Sequence, residues 1–415
     1  LLLSRRRKLA RAPPRPRSAS RRRRGKENAA SAGAKDAAGA ARAPRVKDTV
    51  AASYRNDDFA GRSLSPKESR EDPYGEIAEE LCGILGEPGD SCKKPAEPYW
   101  KMFNYEDPTY LPAAPRIVVI GDVHGDIARL ARALVGVGVI NANWEWVASP
   151  PDTVVVQMGD QVDSASRLPA AETVQWERAT DLDVVTFMDR LDSVARCSGG
   201  RALSLIGNHE MMNLIGDYTY VSPHSLAKTG GAVGRSMQFH PSGAMGQILC
   251  KRNVVLKIGP LLFVHGGVLP EHLDACGDNL HKLNDVYRRF ARQDPLSPAD
   301  QWLLNNALLF GEGIAWTRQY TTPKGQAVVP EVLVRTQSTA VFIGHNTVND
   351  ITCAVDSRLW FTDAMFSRSY GSDAFQVLNV VRVGGEAEPA PGAAVGYRVQ
   401  TVIMRDPEER AAATA

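Results

Sequence analysis

Thiols are scarce in this chain and are never paired at short spacing. Its six cysteines fall at positions 82, 92, 197, 250, 276 and 353, so neither a zinc ribbon nor a thioredoxin-type redox motif is available. They read mostly as small core residues in a reducing compartment. Cys82 and Cys92 flank a Gly/Pro-containing turn and are the one pair placed for a local disulfide, with unpaired thiols as the alternative. Long apolar runs are missing too. Nothing approaches the roughly 18 residues of a membrane-crossing helix, so no membrane partner is expected and the chain reads as soluble and intracellular. Acids are nearly absent from residues 1–47, which hold 16 Lys/Arg against 2 Asp/Glu, whereas the remainder holds 33 basic and 45 acidic side chains. That acidic remainder lacks the positive field needed to collect a phosphate backbone, which argues against a nucleic-acid partner.

What is present divides unevenly. Residues 1–70 form a basic, Arg-, Ala-, Ser- and Pro-rich segment that cannot bury enough apolar surface to offset its ordering entropy, so disorder is expected there. Its composition suits an organelle transit peptide, plastid or mitochondrial. The alternatives are a nuclear address in the arginine run at 21–24, a phosphate-seeking tail or a mistranslated upstream region. A chain opening on Leu is expected to be processed or incomplete. Residues 71–114 read as a lead-in: Ile77, Leu81 and Ile84 space one short amphipathic helix, and five prolines between 95 and 115 punctuate an extended linker. A catalytic domain is expected over 115–405, with a tail at 406–415. Two β-like runs, 375–382 and 396–404, bracket a Gly/Glu/Pro/Ala stretch and predict a loose hairpin.

Within the domain one event recurs. The runs RIVVIGD, TVVVQMGD, LSLIGNHE, LLFVHGG and TAVFIGHN are each apolar and each stop on Gly or His beside a metal-binding residue type. Unbroken apolar runs indicate strands covered on both faces, and polar groups at their carboxyl ends indicate a site along one edge of a layered α/β sheet. Ile127, Leu130, Ala131 and Leu134 follow the first run at helical spacing, and a second helix is expected over about 172–195. The fold class is therefore α/β, with sheets flanked by helices.

The strand ends gather Asp122, His124, Asp160, Asp163, Asn208, His209, His265 and His345. Oxygen and imidazole donors without thiolates suit borderline divalent ions such as Mn, Fe or Zn. A carboxylate between two such ions can bridge them, the design of two-metal phosphoester hydrolysis. HEMMN starts as a zinc-protease HExxH pattern does, but its fifth residue is Asn213, and that reading fails. His224, His240, His272 and His281 lie outside the motifs and read as surface or satisfied core residues.

The ordered set GDVHGD (121–126), GDQVD (159–163), GNHE (207–210), HGG (265–267) and GHN (344–346) resembles the calcineurin-like metallophosphoesterases, in their phosphoprotein phosphatase branch. GNHEMMNLIGDYTYVSP resembles the Shewanella-like protein phosphatases. The resemblance covers about residues 115–383 and implies a β-sandwich flanked by helices (αββα). It implies two divalent metal ions, Mn first, with Asp122, His124 and Asp160 on one and Asp160, Asn208, His265 and His345 on the other. It implies a phosphomonoesterase acting on phosphoprotein or another phosphate ester by in-line attack of a metal-bridging hydroxide. His209, held by Asp163, would protonate the leaving oxygen. A dinucleotide polyphosphate hydrolase and a catalytically weak phosphate-binding scaffold are the alternative readings.

One departure stands out. The family commonly follows Asp163 with Arg and Gly, the Arg gripping phosphate, whereas this chain has Ser164, which cannot bind phosphate bidentately. Arg318, in AWTRQY, is the candidate phosphate-binding replacement because a Trp-x-Arg of similar placement occurs in the Shewanella-like group. Arg167, Arg235 and Arg368 are weaker candidates.

Overall fold

A computed structural model describes residues 106–164, 179–383 and 396–406. The basic segment, the lead-in helix, Cys82, Cys92, Arg167 and the 384–394 loop lie outside the described residues. Among those residues, no helix is long and apolar enough to cross a membrane.

Two mixed sheets carry the fold. The first contains β1 (Tyr110–Leu111), β5 (Val255–Ile258), β6 (Leu261–Val264), β7 (Ala340–Ile343), β9 (Leu359–Phe361) and β8 (Thr352–Ala354), adjacent in that order. The second runs β11 (Tyr397–Arg405), β10 (Ala374–Arg382), β2 (Arg116–Ile120), β3 (Val154–Gln157) and β4 (Arg201–Ser204). β10 and β11 pair antiparallel with Phe375 opposite Met404, as a hairpin requires. β2, β3 and β4 pair in parallel, with Ile117 opposite Val154 and Val154 opposite Arg201. The first sheet begins at Tyr110, ahead of the domain start at 115 that the sequence suggests.

The period of two in each strand builds the layers. Ile117, Val119, Val154 and Val156 face Leu256, Phe263 and Phe342 of the opposing sheet in one fully buried cluster. There Phe263 and Phe342 stack with centroids 5.0 Å apart. Aromatic pairing of that kind contributes about 0.5–1.5 kcal/mol beyond area burial, and truncating either ring to Ala would cost about 3–5 kcal/mol. Val118, Ile120 and Val155 point the other way, onto α1 (Ile127–Gly136) and α2 (Asp181–Cys197). Ile127, Leu130, Ala131 and Leu134 supply the buried stripe of α1, whose first turn is capped by Asp126 accepting the Arg129 N–H at 3.2 Å. The outer face of the first sheet is covered by the helices between 270 and 335. Helix, sheet, sheet, helix is therefore the layer order, with the central strands of both sheets covered on both faces.

Thiol placement departs from the sequence expectation. Of the free cysteines, Cys276 is buried, Cys250 half-buried and Cys353 exposed, while Cys197 is disulfide-bonded. Cys353 lies in β8, an edge strand whose Thr352 and Cys353 are both exposed.

Candidate metal and phosphate site

Every expected site residue lies at or just after the carboxyl end of a strand except Arg318. Asp122 and His124 follow β2, Asp160 and Asp163 follow β3, and Asn208 and His209 open α3 (Asn208–Leu214) beyond β4. His265 follows β6 and His345 follows β7. The chain must turn sharply there to aim side chains back over the sheet edge. His124, Asp160, Asp163 and His345 all adopt the left-handed region, with φ of 44°, 53°, 67° and 58°. Asp and His tolerate that region better than most residues, yet each such position costs on the order of 1–3 kcal/mol. Four strained positions in one site are sustained by the hydrogen bonds around them.

Glu210 supplies many of those bonds. Its buried carboxylate accepts the N–H groups of Gly207 (2.8 Å), Asp160 (2.9 Å), Gln161 (2.7 Å) and Val162 (3.3 Å). It thereby ties the loop after β3 to the start of α3. Gly207 is required at that contact, because a Cβ there would lie 2.1 Å from Asp160 Oδ1. Sequence reasoning assigned Glu210 no role, although its place in the GNHE motif was the available signal.

The donors converge. Among the described residues, His124, Asp160 and His209 form one set able to hold a cation, and Asp160, His265 and His345 form another, with Asp160 common to both. His265 Nε2 lies 3.3 Å from Asp160 Oδ2 and 3.2 Å from Asn208 Oδ1, while its Nδ1 bonds the Met158 carbonyl oxygen at 2.8 Å. His345 Nε2 bonds the Trp316 carbonyl oxygen at 2.9 Å, which turns its Nδ1 toward the site. His124 Nδ1 is 3.2 Å from the Val162 carbonyl oxygen. A ring nitrogen held by a backbone carbonyl, which fixes the tautomer and the ring orientation, is the usual arrangement of metal-binding histidines. Asp122 stands in neither convergent set; its carboxylate accepts the His345 N–H at 3.0 Å and lies 3.8 Å from His265 Nδ1.

The electrostatics favour positive charge among these carboxylates. Burial opposes charge on His265, but Asp160 and Asp122 beside it push its pKa up to about 10. Burial likewise opposes the Asp160 charge, yet His265 and His209 hold its carboxyl well below the usual range. Asp122 is raised well above that range by burial and by the neighbouring Asp363. Burial and the cationic His265 push His345 down to about 3. A proton on His265 thus occupies the position of the positive charge that the carboxylates demand.

Beside the donors, His209 Nδ1 lies 2.8 Å from Asp163 Oδ2. Its Nε2 is 3.8 Å from Asp160 Oδ2. The rings of Tyr220 and Tyr370 stand 5.0 Å from His209 and 6.0 Å from His124. Arg318 is exposed and donates from Nη1 to the His345 carbonyl oxygen at 2.7 Å, which fixes its guanidinium at the rim.

The other arginines fare differently. Arg235 is fully buried against Asp163 and Asp181, so it cannot reach a phosphate in the site. Arg368 binds Asp126 through Nε at 3.0 Å and Nη2 at 2.8 Å, bracing the cap of α1. Ser164 is buried, with its Oγ 3.3 Å from Ser225 Oγ and 3.4 Å from Ser222 Oγ.

The calcineurin-like phosphoesterase family model matches residues 115–348, more than half of the chain and a span that includes all of these candidate site residues. The chain belongs to the calcineurin-like phosphoesterases. Within that family it is 26% identical over 216 residues to Shewanella-like protein phosphatase 2 of Arabidopsis thaliana, covering 42% of this chain and 51% of that protein. It is 28% identical over 156 residues to Shewanella-like protein phosphatase 1 of Plasmodium berghei, covering 37% and 39%. The chain thus spans about half the length, or less, of these phosphoesterase relatives. Among solved structures, the cold-active protein-tyrosine phosphatase of a psychrophilic Shewanella species matches with a TM-score of 0.57 at 25% identity, over 67% of this chain and 78% of that one. The calcineurin-like fold, two mixed sheets flanked by helices, is common to both.

Proposed function

We propose that this phosphoesterase is a metal-dependent phosphomonoesterase acting on phosphorylated protein side chains. The observation that carries the reading is Asp160, shared by two convergent donor sets with the Asp163-backed His209 alongside. Carboxylate and imidazole donors, buried and short of positive charge, fit divalent ions such as Mn, Fe or Zn. His124, Asp160 and Asp122 would hold one ion, and Asp160, Asn208, His265 and His345 the other. The geometric set around His124 includes His209 rather than Asp122; His209 is assigned to proton transfer instead because its Nδ1 is paired with Asp163. When bound, the ions supply Lewis-acid polarisation of the phosphoryl group and a nucleophile active at neutral pH.

The chain's own groups account for the rest. Asp163 accepts from His209 Nδ1, which leaves Nε2 to carry a proton toward the site. An alkoxide or phenoxide is a poor leaving group until protonated, and His209 Nε2–H is placed to donate to it as the ester bond breaks. Arg318, anchored at the rim by the His345 carbonyl, presents its remaining N–H groups to a phosphate oxygen. The relatives named protein phosphatases support a phosphoprotein substrate over other esters. The test is hydrolysis of phosphopeptides and of a dinucleotide polyphosphate by the Mn-loaded chain. Phosphate release from peptides with little from the dinucleotide is expected. Mononucleotide products alone would move the assignment to a polyphosphate hydrolase, and bound but intact phosphopeptide would move it to a scaffold.

A further inference from the structure

Arg235 is fully buried on α5 (Gly231–Phe239), the helix that directly follows α4 (Pro223–Lys228) in the segment after α3. Its Nη2 donates to Asp163 Oδ1 at 3.2 Å and to Asp181 Oδ2 at 2.7 Å, and its Nε donates to Asn213 Oδ1 at 2.6 Å. Asn213 Nδ2 in turn donates to the same Asp163 Oδ1 at 2.8 Å and to the His209 carbonyl at 2.9 Å. The Phe239 ring lies 5.2 Å beneath the guanidinium.

This arrangement treats the two oxygens of Asp163 differently. Oδ1 takes two donors from behind, and Oδ2 faces His209 Nδ1. A carboxylate held by one bond could swivel about its Cβ–Cγ bond and release the imidazole. With Oδ1 held from two directions by groups on α3 and α5, that rotation breaks charged hydrogen bonds in a dry interior, where they are expensive to lose. We propose that Arg235 is a positioning residue for His209: through Asp163 and Asn213 it fixes the imidazole so that Nε2 faces the leaving oxygen. The inference rests on the proposed role of His209 as the acid and adds a segment to it, since the acid's orientation is then set from α5.

A purely structural role, neutralising two buried carboxylates, makes a different prediction. Arg235→Met removes the fork, and Arg235→Met with Asp181→Asn also removes the carboxylate left uncompensated, which protects the fold if the single variant fails to fold. Each variant and the full-length parent would be measured with phenyl phosphate and with 2,4-dinitrophenyl phosphate, whose leaving group needs no proton. In parallel, the downfield proton of His209 Nδ1–H would be observed by NMR in the metal-free protein and assigned by its absence in His209→Gln. The expected result is loss of that resonance, with kcat on the phenyl ester down by roughly 10- to 100-fold, within the contribution of a placed acid. KM and the dinitrophenyl rate should change little. A folded double variant that keeps the resonance, or that loses both esters equally, overturns the proposal. If the parent hydrolyses neither ester, the phosphoesterase reading fails, and the resonance alone decides whether Arg235 positions His209.

Discussion

Asp160 Oδ2 lies 3.3 Å from His265 Nε2, and both side chains are buried. Without a metal the pair is an ion pair with the imidazole protonated up to about 10. Only a neutral imidazole can ligate, so an ion entering the site must expel that proton. The sign follows directly. Below a pH of about 10 metal competes with the proton, so apparent affinity rises as pH rises toward that value and falls in acid. Titration calorimetry of Mn binding at neutral pH, in buffers of different ionisation enthalpy, should show release of about one proton or more per chain. Binding without proton release would contradict this electrostatic description.

Arg318 should act on substrate rather than on the metals. It touches the His345 carbonyl and none of the donor atoms. Arg318→Ala removes a charge-assisted contact worth about 1.5–3 kcal/mol, so kcat/KM should fall roughly 10- to 100-fold, chiefly through KM. Inhibition by inorganic phosphate should weaken in parallel while metal content stays the same. An unchanged phosphate inhibition constant would remove Arg318 from the site.

Ser164→Arg restores the residue common in the family, but it should not restore a phosphate clamp. Ser164 is buried among Ser222 and Ser225, and a Cβ on Gly125 would already lie 2.7 Å from Ser164 Cβ. Overpacking of this kind costs typically about 1–3 kcal/mol. A lower melting temperature with no gain in phosphate affinity is expected by calorimetry and inhibition; tighter phosphate binding would show that the position opens onto the site.

Gly207→Ala should displace Asp160, the donor common to both sets, without changing it chemically. The new methyl would sit 2.1 Å from Asp160 Oδ1 and 2.5 Å from the Asp160 backbone nitrogen. Displacing Asp160 should weaken Mn binding by roughly 10- to 100-fold, the range seen when a ligand loses its support. Mn titration of the folded variant checks this.

The legible part of this protein is the part in which local pattern and chemistry coincide. Five apolar runs ending on Gly, Asp, Asn or His predict the strands, and they bring the candidate donors to one sheet edge because each run stops on its polar residues at the same end. The stripe from Ile127 to Leu134 is visible for the same reason. What local pattern does not reveal is partnership across the chain. Arg235 meets Asp163 across a separation of 72 residues, from a helix whose sequence gives no sign that its arginine is the buried face. Arg368 reads as a weaker candidate phosphate clamp until Asp126 is found beneath it. Ser164 reads as a lost clamp until the serines around it are seen. β1 spans two residues and has no periodicity to detect.

The measurement that bears most directly on the site is Mn-dependent hydrolysis of p-nitrophenyl phosphate by the full chain beside Asp160→Asn. The amide keeps the size of Asp160 and removes the charge shared by both donor sets. We expect metal-dependent turnover in the parent, and in the variant a loss exceeding the roughly 10- to 100-fold of a supporting residue, with weaker metal binding. A parent that binds metal and turns nothing over, or a variant as active as the parent, would contradict a catalytic centre built on Asp160.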